Sequence, residues 1–299
     1  MDARTHDLPF DPCALSGLSE KLLRSHHQNN YGGAVKRLNA IRAQLRELPF
    51  ARAAGFQLNG LKREELIAAN SMLLHELYFD SLGGGGQAMP PPMAFALAAS
   101  FGSAERWQEE FVAMGKALGG GSGWVLLSFQ PREGTLVNQW AADHTHALAG
   151  AVPLLALDMY EHAYHLDFGA AAGAYVDAFM GNIHWGRVLQ RYQLAAKHGS
   201  EPFAVDEPRG ALLLDVRRAA AFQQADAMIE GAHWRDPAAV DTWASEVPRH
   251  GPVVLYCAHG HEVSQATTLR LRAAGVDARF LRGGFEAWKA AGHPVVPKG

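Results

Sequence analysis

Asp158 and His162 stand four residues apart in Asp158-Met159-Tyr160-Glu161-His162-Ala163-Tyr164. That spacing puts a carboxylate and an imidazole on one face of a helix, or across one turn entering it. Either placement lets the two hold two coordination positions of one ion. The pattern arises often by chance, so its weight depends on other donors joining it. The chain carries 15 histidines, most of them before residue 199, which makes metal or acid–base chemistry the one to pursue there. His26 and His75 lie upstream, the latter among the apolar Leu73, Leu74 and Leu77. A lone histidine in such company is more often a hydrogen-bonded core residue than a ligand. A second chemistry sits near the other end. Cys257 follows the apolar run Pro252-Val253-Val254-Leu255-Tyr256, and a short loop leads from it into a helical pattern. A sulfur so placed lies among backbone N–H groups facing a helix N-terminus, which favours the thiolate. The plainer reading is a buried structural cysteine at a strand end.

The elements that must position these residues follow from periodicity. A helical pattern opens at Ser19-Glu20 and runs through His26-His27. Gly32-Gly33 is expected to interrupt it before it resumes over 34–41. A second helix is expected over 62–82, ended by the glycines at 83–86. Helices over 93–101 and from the Ser103 cap through Leu118 follow. After Gly119-Gly120-Gly121 the period changes to strands over 124–129, 135–140 and 154–159, the last delivering Asp158. Helices over 174–183 and 185–198 close this part. A polar break at His198-Gly199-Ser200-Glu201-Pro202 precedes a new alternation: strands over 211–216, 252–257 and 278–281, with helices over 264–274 and 285–291. Strands alternating with helices imply a small parallel α/β sheet.

Composition bounds the function classes. At 299 residues the chain has room for two cores. Forty-eight per cent of residues are apolar and the net charge is −3, which offers no electrostatic case for nucleic acid. The longest apolar stretch, 147–157, contains Gly150 and Pro153 and is too short to span a bilayer, so no membrane partner is expected. The N-terminal MDARTHDLPFDP has charges and prolines where a signal peptide needs an apolar core. Two cysteines make no disulfide framework, and the expectation is a soluble cytoplasmic protein.

Residues 8–198 resemble an iron/manganese superoxide dismutase. The matching landmarks are Leu8-Pro9-Phe10, Leu38-Asn39, Ala98-Ala99-Ser100-Phe101-Gly102-Ser103, Gly121-Ser122-Gly123-Trp124, Pro153-Leu154-Leu155 and Asp158-x-x-Glu161-His162-Ala163-Tyr164, in order along the domain. The resemblance implies an N-terminal helical hairpin followed by an α/β region. It also implies one iron or manganese ion per chain, held by three histidines and an aspartate with a bound water or hydroxide, and superoxide as substrate. The family's first ligand precedes a His-His pair by four residues, which would set Leu22 at the position. Counting without gaps from Leu18-Ser19 and back from Leu38-Asn39 gives His26 instead, and both anchors agree. The implied ligands are then His26, His75, Asp158 and His162. Such a set is net positive with a bound divalent or trivalent ion, and attracts an anionic dioxygen species.

Around the ligands the chain departs from that family. The gateway tyrosine position is Ala34 and the gateway histidine position is Asn30, with Tyr31 one residue off that face. The tyrosine that pairs with the gateway histidine across the dimer is His165, so Asn30 and His165 are the expected pair here. Tyr160 stands where tryptophan is usual, and Trp124 closes the Gly-Ser-Gly-Trp landmark. The glutamine that tunes the bound solvent is missing from both of its usual places. Four residues before the second ligand stands Ser71, too short to reach, and the hairpin reads Asp143-His144-Thr145-His146. His144 is the candidate, His146 the fallback, and the choice between iron and manganese stays open. Glu161 is implied to bridge to the metal histidine of a second copy, making a homodimer.

Residues 205–297 resemble a rhodanese domain through Asp215-Val216-Arg217, Cys257-x-x-Gly260 and Leu281-Arg282-Gly283-Gly284-Phe285-x-x-Trp288. The resemblance implies that Cys257 carries a sulfane sulfur as a persulfide. The loop Cys257-Ala258-His259-Gly260-His261-Glu262-Val263-Ser264 is one residue longer than the common version, a length met in related phosphatases. A phosphatase needs arginine at Val263, which disfavours that activity. Glu262 is expected near the sulfur, directing the loop toward a neutral or thiol-based persulfide partner. The expected organisation is 1–90 helical and 91–198 α/β in the dismutase-like part, a linker at 199–204, and the rhodanese-like domain over 205–299. Three functions follow: a dismutase with an appended sulfur carrier, a sulfurtransferase with a drifted metal domain, or a scaffold. The complete ligand set and the cysteine count against the last.

Overall fold

The computed structural model describes residues 2–298. Helices come first: α1 (Glu20–Ser25), α2 (Gly32–Glu47), α3 (Gly55–Asp80), α4 (Pro91–Phe101) and α5 (Ala104–Ala117). Their starts are set by local chemistry. The Ser19 hydroxyl accepts from the Leu22 N–H and the Ser103 hydroxyl from the Arg106 N–H, each satisfying a donor that the first turn leaves free. Pro91 and Pro92 open α4, where their missing or restricted N–H costs nothing. Between α1 and α2 the chain winds as a π-helix over His26–Tyr31. Gly32-Gly33 therefore does not interrupt the helix as expected: wider winding inserts the extra residue, and the helical path continues to Glu47. α2 and α3 form a hairpin packed through Leu38, Ile41, Leu45 and Ala68.

Strands β1 (Trp124–Gln130), β2 (Thr135–Ala141) and β3 (Val152–Asp158) form an antiparallel sheet in the order β2-β1-β3. The central β1 is buried on both faces, hence its apolar run, which only Ser128 interrupts before Phe129. Helices α6 (His165–Phe168), α7 (Ala172–Gly181) and α8 (Trp185–Ser200) complete the region around one core that includes Trp107, Phe111, Trp124, Phe129, Tyr175 and Phe179.

The second region contains β4 (Ala204–Val205), β5 (Leu212–Asp215), α9 (Ala219–Gln224), β6 (Ala227–Ile229), β7 (His233–Trp234), α10 (Val240–Trp243), β8 (Val253–Tyr256), α11 (Glu262–Ala273), β9 (Ala278–Leu281), α12 (Gly284–Ala290) and β10 (Val295–Pro297). Five of its strands make a parallel sheet in the order β4-β9-β8-β5-β7, while β6 and β10 pair apart from it. Alternate residues of β5 and β8 point to opposite faces. Leu214 and Leu255 join a cluster with Trp243 and Leu271, and Leu213 and Val254 join one with Tyr256 and Phe285.

The stretch expected as a linker is structured throughout. Residues 199–200 end α8, Glu201–Phe203 make a 3₁₀ turn, and Ala204 already belongs to β4. Arg282 pairs with both Glu201 and Asp206 across this junction. α11 packs on α8, and its Leu269 belongs to the core of the first region. Gly134, in the β1–β2 turn at φ +66°, faces α11 so closely that a Cβ there would lie 2.5 Å from the Ala266 carbonyl oxygen. Among the described residues no helix is long and apolar enough to cross a membrane.

Candidate metal centre

Four elements deliver the donors. His26 comes from the π-helix, His75 from α3, Asp158 from the end of β3, and His162 from the 3₁₀ turn Glu161–Ala163. Asp158 and His162 are thus joined across a turn that leaves a strand. One ligand atom from each of the four lies within 4.8 Å of all the others. His26, His75 and Asp158 are buried and His162 is partly exposed. The approach from solvent is therefore on the His162 side.

The geometry fits a cation. The Nδ1 of His75 donates to the Ser71 carbonyl oxygen at 2.6 Å, which leaves its Nε2 a bare lone pair, 3.4 Å from His162 Nε2 and 3.5 Å from Asp158 Oδ2. Asp158 Oδ1 accepts from the Tyr160 N–H at 2.9 Å, so Oδ2 is the oxygen turned to the cluster. His26 Nε2 and His162 Nε2 stand 3.1 and 3.2 Å from that same oxygen. Nδ1 of His26 is buried with no partner among the described residues, so this ring's only polar contact is in the cluster. An assembly of electron-pair donors facing one another is what a metal ion resolves.

Electrostatics agree. Burial lowers His26 and holds His75 down to about 3, keeping both rings neutral and able to ligate. Burial opposes ionisation of Asp158, but its histidine neighbours, His162 foremost, outweigh it and keep the carboxylate charged. Tyr175 donates to the Asp158 carbonyl oxygen at 2.8 Å and fixes the strand end. Phe79 and Tyr78 each pack 5.0 Å from the His26 ring.

The surrounding residues divide. His144 lies 6.2 Å from His75 between ring centroids and stacks on Tyr160, which stacks on His162. The indole N–H of Trp124 donates to His144 Nδ1 at 3.0 Å, so the proton of the neutral imidazole sits on Nε2. Burial lowers His144, which favours that neutral form, and pushes Tyr160 up to about 12, so its hydroxyl keeps its proton. His146 is exposed beside Trp140 and accepts from the Ala142 N–H, facing away from the cluster. Tyr31 has its hydroxyl engaged by other groups. Its hydroxyl donates to Glu76 at 3.0 Å and accepts from the His6 N–H at 2.8 Å, and the Phe79 ring packs against both Tyr31 and His26. The extra residue of the π-helix is what turns it there. Asn30 is partly buried, while His165 and Glu161 are exposed on the single chain. Tyr175 and the Ser71 carbonyl escaped notice in the sequence, because nothing local marks a hydroxyl or a carbonyl that acts across a fold.

In the second region Cys257 follows β8, is buried, and has its Sγ 3.2 Å from the Ser264 Oγ. Gly284 lets the loop close: a Cβ there would lie 2.4 Å from both the Cys257 oxygen and the Gly260 nitrogen. Asp215 receives Arg217 and the Tyr256 hydroxyl beneath the loop. His259 and His261 are exposed, with their rings 5.7 Å apart. The Glu262 carboxylate accepts from Gln193 of α8 and lies in the junction between the regions, a placement the sequence did not suggest.

Comparison with known proteins agrees with both halves. Residues 90–191 match the family described as iron/manganese superoxide dismutases, C-terminal domain, and residues 202–291 match the rhodanese-like domain. A superoxide dismutase [Fe] of Cupriavidus metallidurans is 66% identical over 190 residues, covering 64% of this chain and 96% of that protein. A superoxide dismutase [Mn] 1 of Halobacterium salinarum is 34% identical over 195 residues, covering 64% and 94%. A superoxide dismutase [Fe] of Aquifex aeolicus is 32% identical over 193 residues, covering 62% and 89%. With a rhodanese-like domain following the metal centre, the chain belongs to the iron/manganese superoxide dismutase family.

Proposed function

We propose that the protein dismutates superoxide at His26, His75, Asp158 and His162, using iron or manganese. The observation that carries this is the convergence of the four donor atoms inside the fold of that family. An ion bound there supplies one-electron redox chemistry: one superoxide is oxidised to dioxygen and a second, with two protons, is reduced to hydrogen peroxide. The chain's residues do the rest. Asp158, held by the Tyr160 N–H, keeps a fixed negative charge, and burial keeps His26 and His75 neutral donors. His144, its Nδ1 occupied by Trp124, keeps its Nε2–H free to donate. Tyr160 stacks between His144 and His162 and holds both rings in place. Elemental analysis with a dismutase assay tests the proposal: protein fully loaded with either metal and inert toward superoxide sinks it.

The exposed Glu161 and His165, beside the exposed Leu166, support a homodimer through this face, with Glu161 reaching the partner's metal histidine. Sedimentation of Glu161→Ala should show dissociation at concentrations where the wild type stays dimeric. Two free cysteines support a soluble protein of the reducing cytoplasm.

A second reading rests on Cys257, enclosed by its loop and at hydrogen-bond distance from Ser264. It assigns a sulfur-carrying role to the second domain, over 205–299. Persulfide labelling that is lost in Cys257→Ser supports it, and equal labelling of both proteins excludes it.

A further inference from the structure

The outer side of α3 carries a stripe that the fold leaves uncovered. Arg63, Leu66, Asn70, Leu73, Leu77 and Asp80 follow one another at alternating steps of three and four residues, which keeps them on one side of the helix. The other side supplies the buried Ala68, Ser71, His75 and Tyr78. Leu66 is 48% exposed and Leu73 54%, two large apolar side chains two turns apart on one seam. Hollows flank that seam. On one side Leu73 and Leu77 face the exposed Leu148 of the loop after β2 across a cavity of about 350 Å³. On the other they border a cavity of about 410 Å³ that also holds Asp7, Glu76 and Asp80.

Charge is divided between the two ends. At the N-terminal end Arg63 is exposed and has no ion pair among the described residues. Its neighbours are taken: Lys62 pairs with Glu65, and Glu64 and Glu65 pair with Arg37 and Arg42 of α2. At the C-terminal end the larger cavity sets three carboxylates against one guanidinium, that of Arg191. Arg187 and Arg191 answer Asp80. Glu76 accepts from the uncharged Tyr31 hydroxyl, and Asp7 has no ion pair among the described residues. Two negative charges there lack a cation. The spacing is symmetric as well. Leu66 and Leu77 lie equally far from the midpoint between Ser71 and Met72, as do Asn70 and Leu73, and Arg63 and Asp80. A two-fold axis at that midpoint lays Leu66 on Leu77 of a second copy and Leu73 on its Asn70, and it carries Arg63 to the acidic cavity.

We infer that this stripe is an interface with a second copy of the chain, two α3 helices packed antiparallel, with Arg63 of each reaching the Asp7–Glu76 cavity of the other. A surface with opposite charges at equal distances from an apolar centre is complementary to itself once reversed, which is why the same chain is the partner it selects. None of these residues belongs to the Glu161–Leu166 face, and the inference does not rest on that face. A chain that uses both faces closes as a tetramer. The stripe is roughly 26 Å long at 1.5 Å per residue, a contact of the small and weak class, so it fills as concentration rises.

Sedimentation equilibrium of the full-length protein tests the interface. With rising concentration the wild type is expected to pass from the dimer of the Glu161 face to a tetramer, and Leu73→Glu to stop at the dimer with its circular dichroism and metal content unchanged. Leu66→Glu is expected to do the same. In a Glu161→Ala background, Leu73→Glu is expected to turn a monomer–dimer equilibrium into a monomer, so the two faces fail separately. Arg63→Glu is expected to raise the Kd of this contact about tenfold, the loss of one charge contact, and Asp7→Lys added to it to restore the wild-type value. A Leu73→Glu protein that associates as readily as the wild type overturns the interface and leaves the stripe to a different protein. An unchanged Kd in Arg63→Glu, or no recovery on adding Asp7→Lys, overturns the antiparallel pairing.

Discussion

His75 shows how one side chain becomes a ligand. Its Nδ1 is spent on the Ser71 carbonyl oxygen, its Nε2 faces Asp158 and His162, and burial holds it neutral. His144 lies beside the cluster and is half-buried, but its Nδ1 accepts from Trp124 and its Nε2 must carry a proton. The two therefore differ in what substitution does. His75→Ala is expected to lose bound metal outright, measured by elemental analysis. His144→Ala is expected to retain the metal and lose roughly 10–100-fold in dismutase rate, the scale at which groups next to metal ligands act. A His144→Ala protein that is fully loaded and fully active would remove His144 from the reaction.

At the scale of elements, the π-helix over His26–Tyr31 and the β1–β2 turn decide the most. The π-helix keeps His26 in the cluster while turning Tyr31 to Glu76, so the access side lacks a tyrosine from this helix. Tyr31→Phe should accordingly leave the metal content unchanged and cost about 1 kcal/mol of stability, the loss of a hydrogen-bond pair, read by urea denaturation. The β1–β2 turn serves a different end. Gly134 adopts φ +66° against α11, where a Cβ would press on backbone that cannot yield. Gly134→Ala is expected to cost about 1–3 kcal/mol, from left-handed strain and overpacking together. The melting temperature checks it, and the loss should appear in both domains because α11 and Leu269 bind them into one packed unit.

For the whole molecule, the buried donors link stability to pH. An unfolded histidine titrates near pH 6.5, whereas folded His75 is held at about 3 and His26 is lowered. Below pH 6.5 the unfolded chain binds more protons than the folded one, so stability falls as pH drops. His75 alone amounts to a loss of about 1 kcal/mol between pH 7.5 and 5.5, and His26 adds to it in the same direction. Asp158, although lowered, adds nothing until pH nears the unfolded carboxylate range of about 4. Chelator-stripped protein should show this fall in its denaturation midpoint, and His75→Gln should make it shallower.

Much was legible in the residues themselves. The strand–helix alternation that restarts after the polar break at 198–202 marks a second fold unit, whereas the period change at 119–121 falls inside one core. The resemblance to the iron/manganese superoxide dismutases, with the ungapped count to His26, implies a donor set whose atoms the structure gathers within 4.8 Å. Locally the signals are weak, since an imidazole among Leu73, Leu74 and Leu77 reads as core; the ordered family landmarks make the set legible. The direction of Tyr31, the choice between His144 and His146, and the fate of Glu262 were not readable. Each depends on an event between elements: one extra residue in a helical turn, an indole from β1, and the face that α8 offers to α11. Local sequence sets which residues can bind or donate, and only the packing of distant elements decides which of them meet.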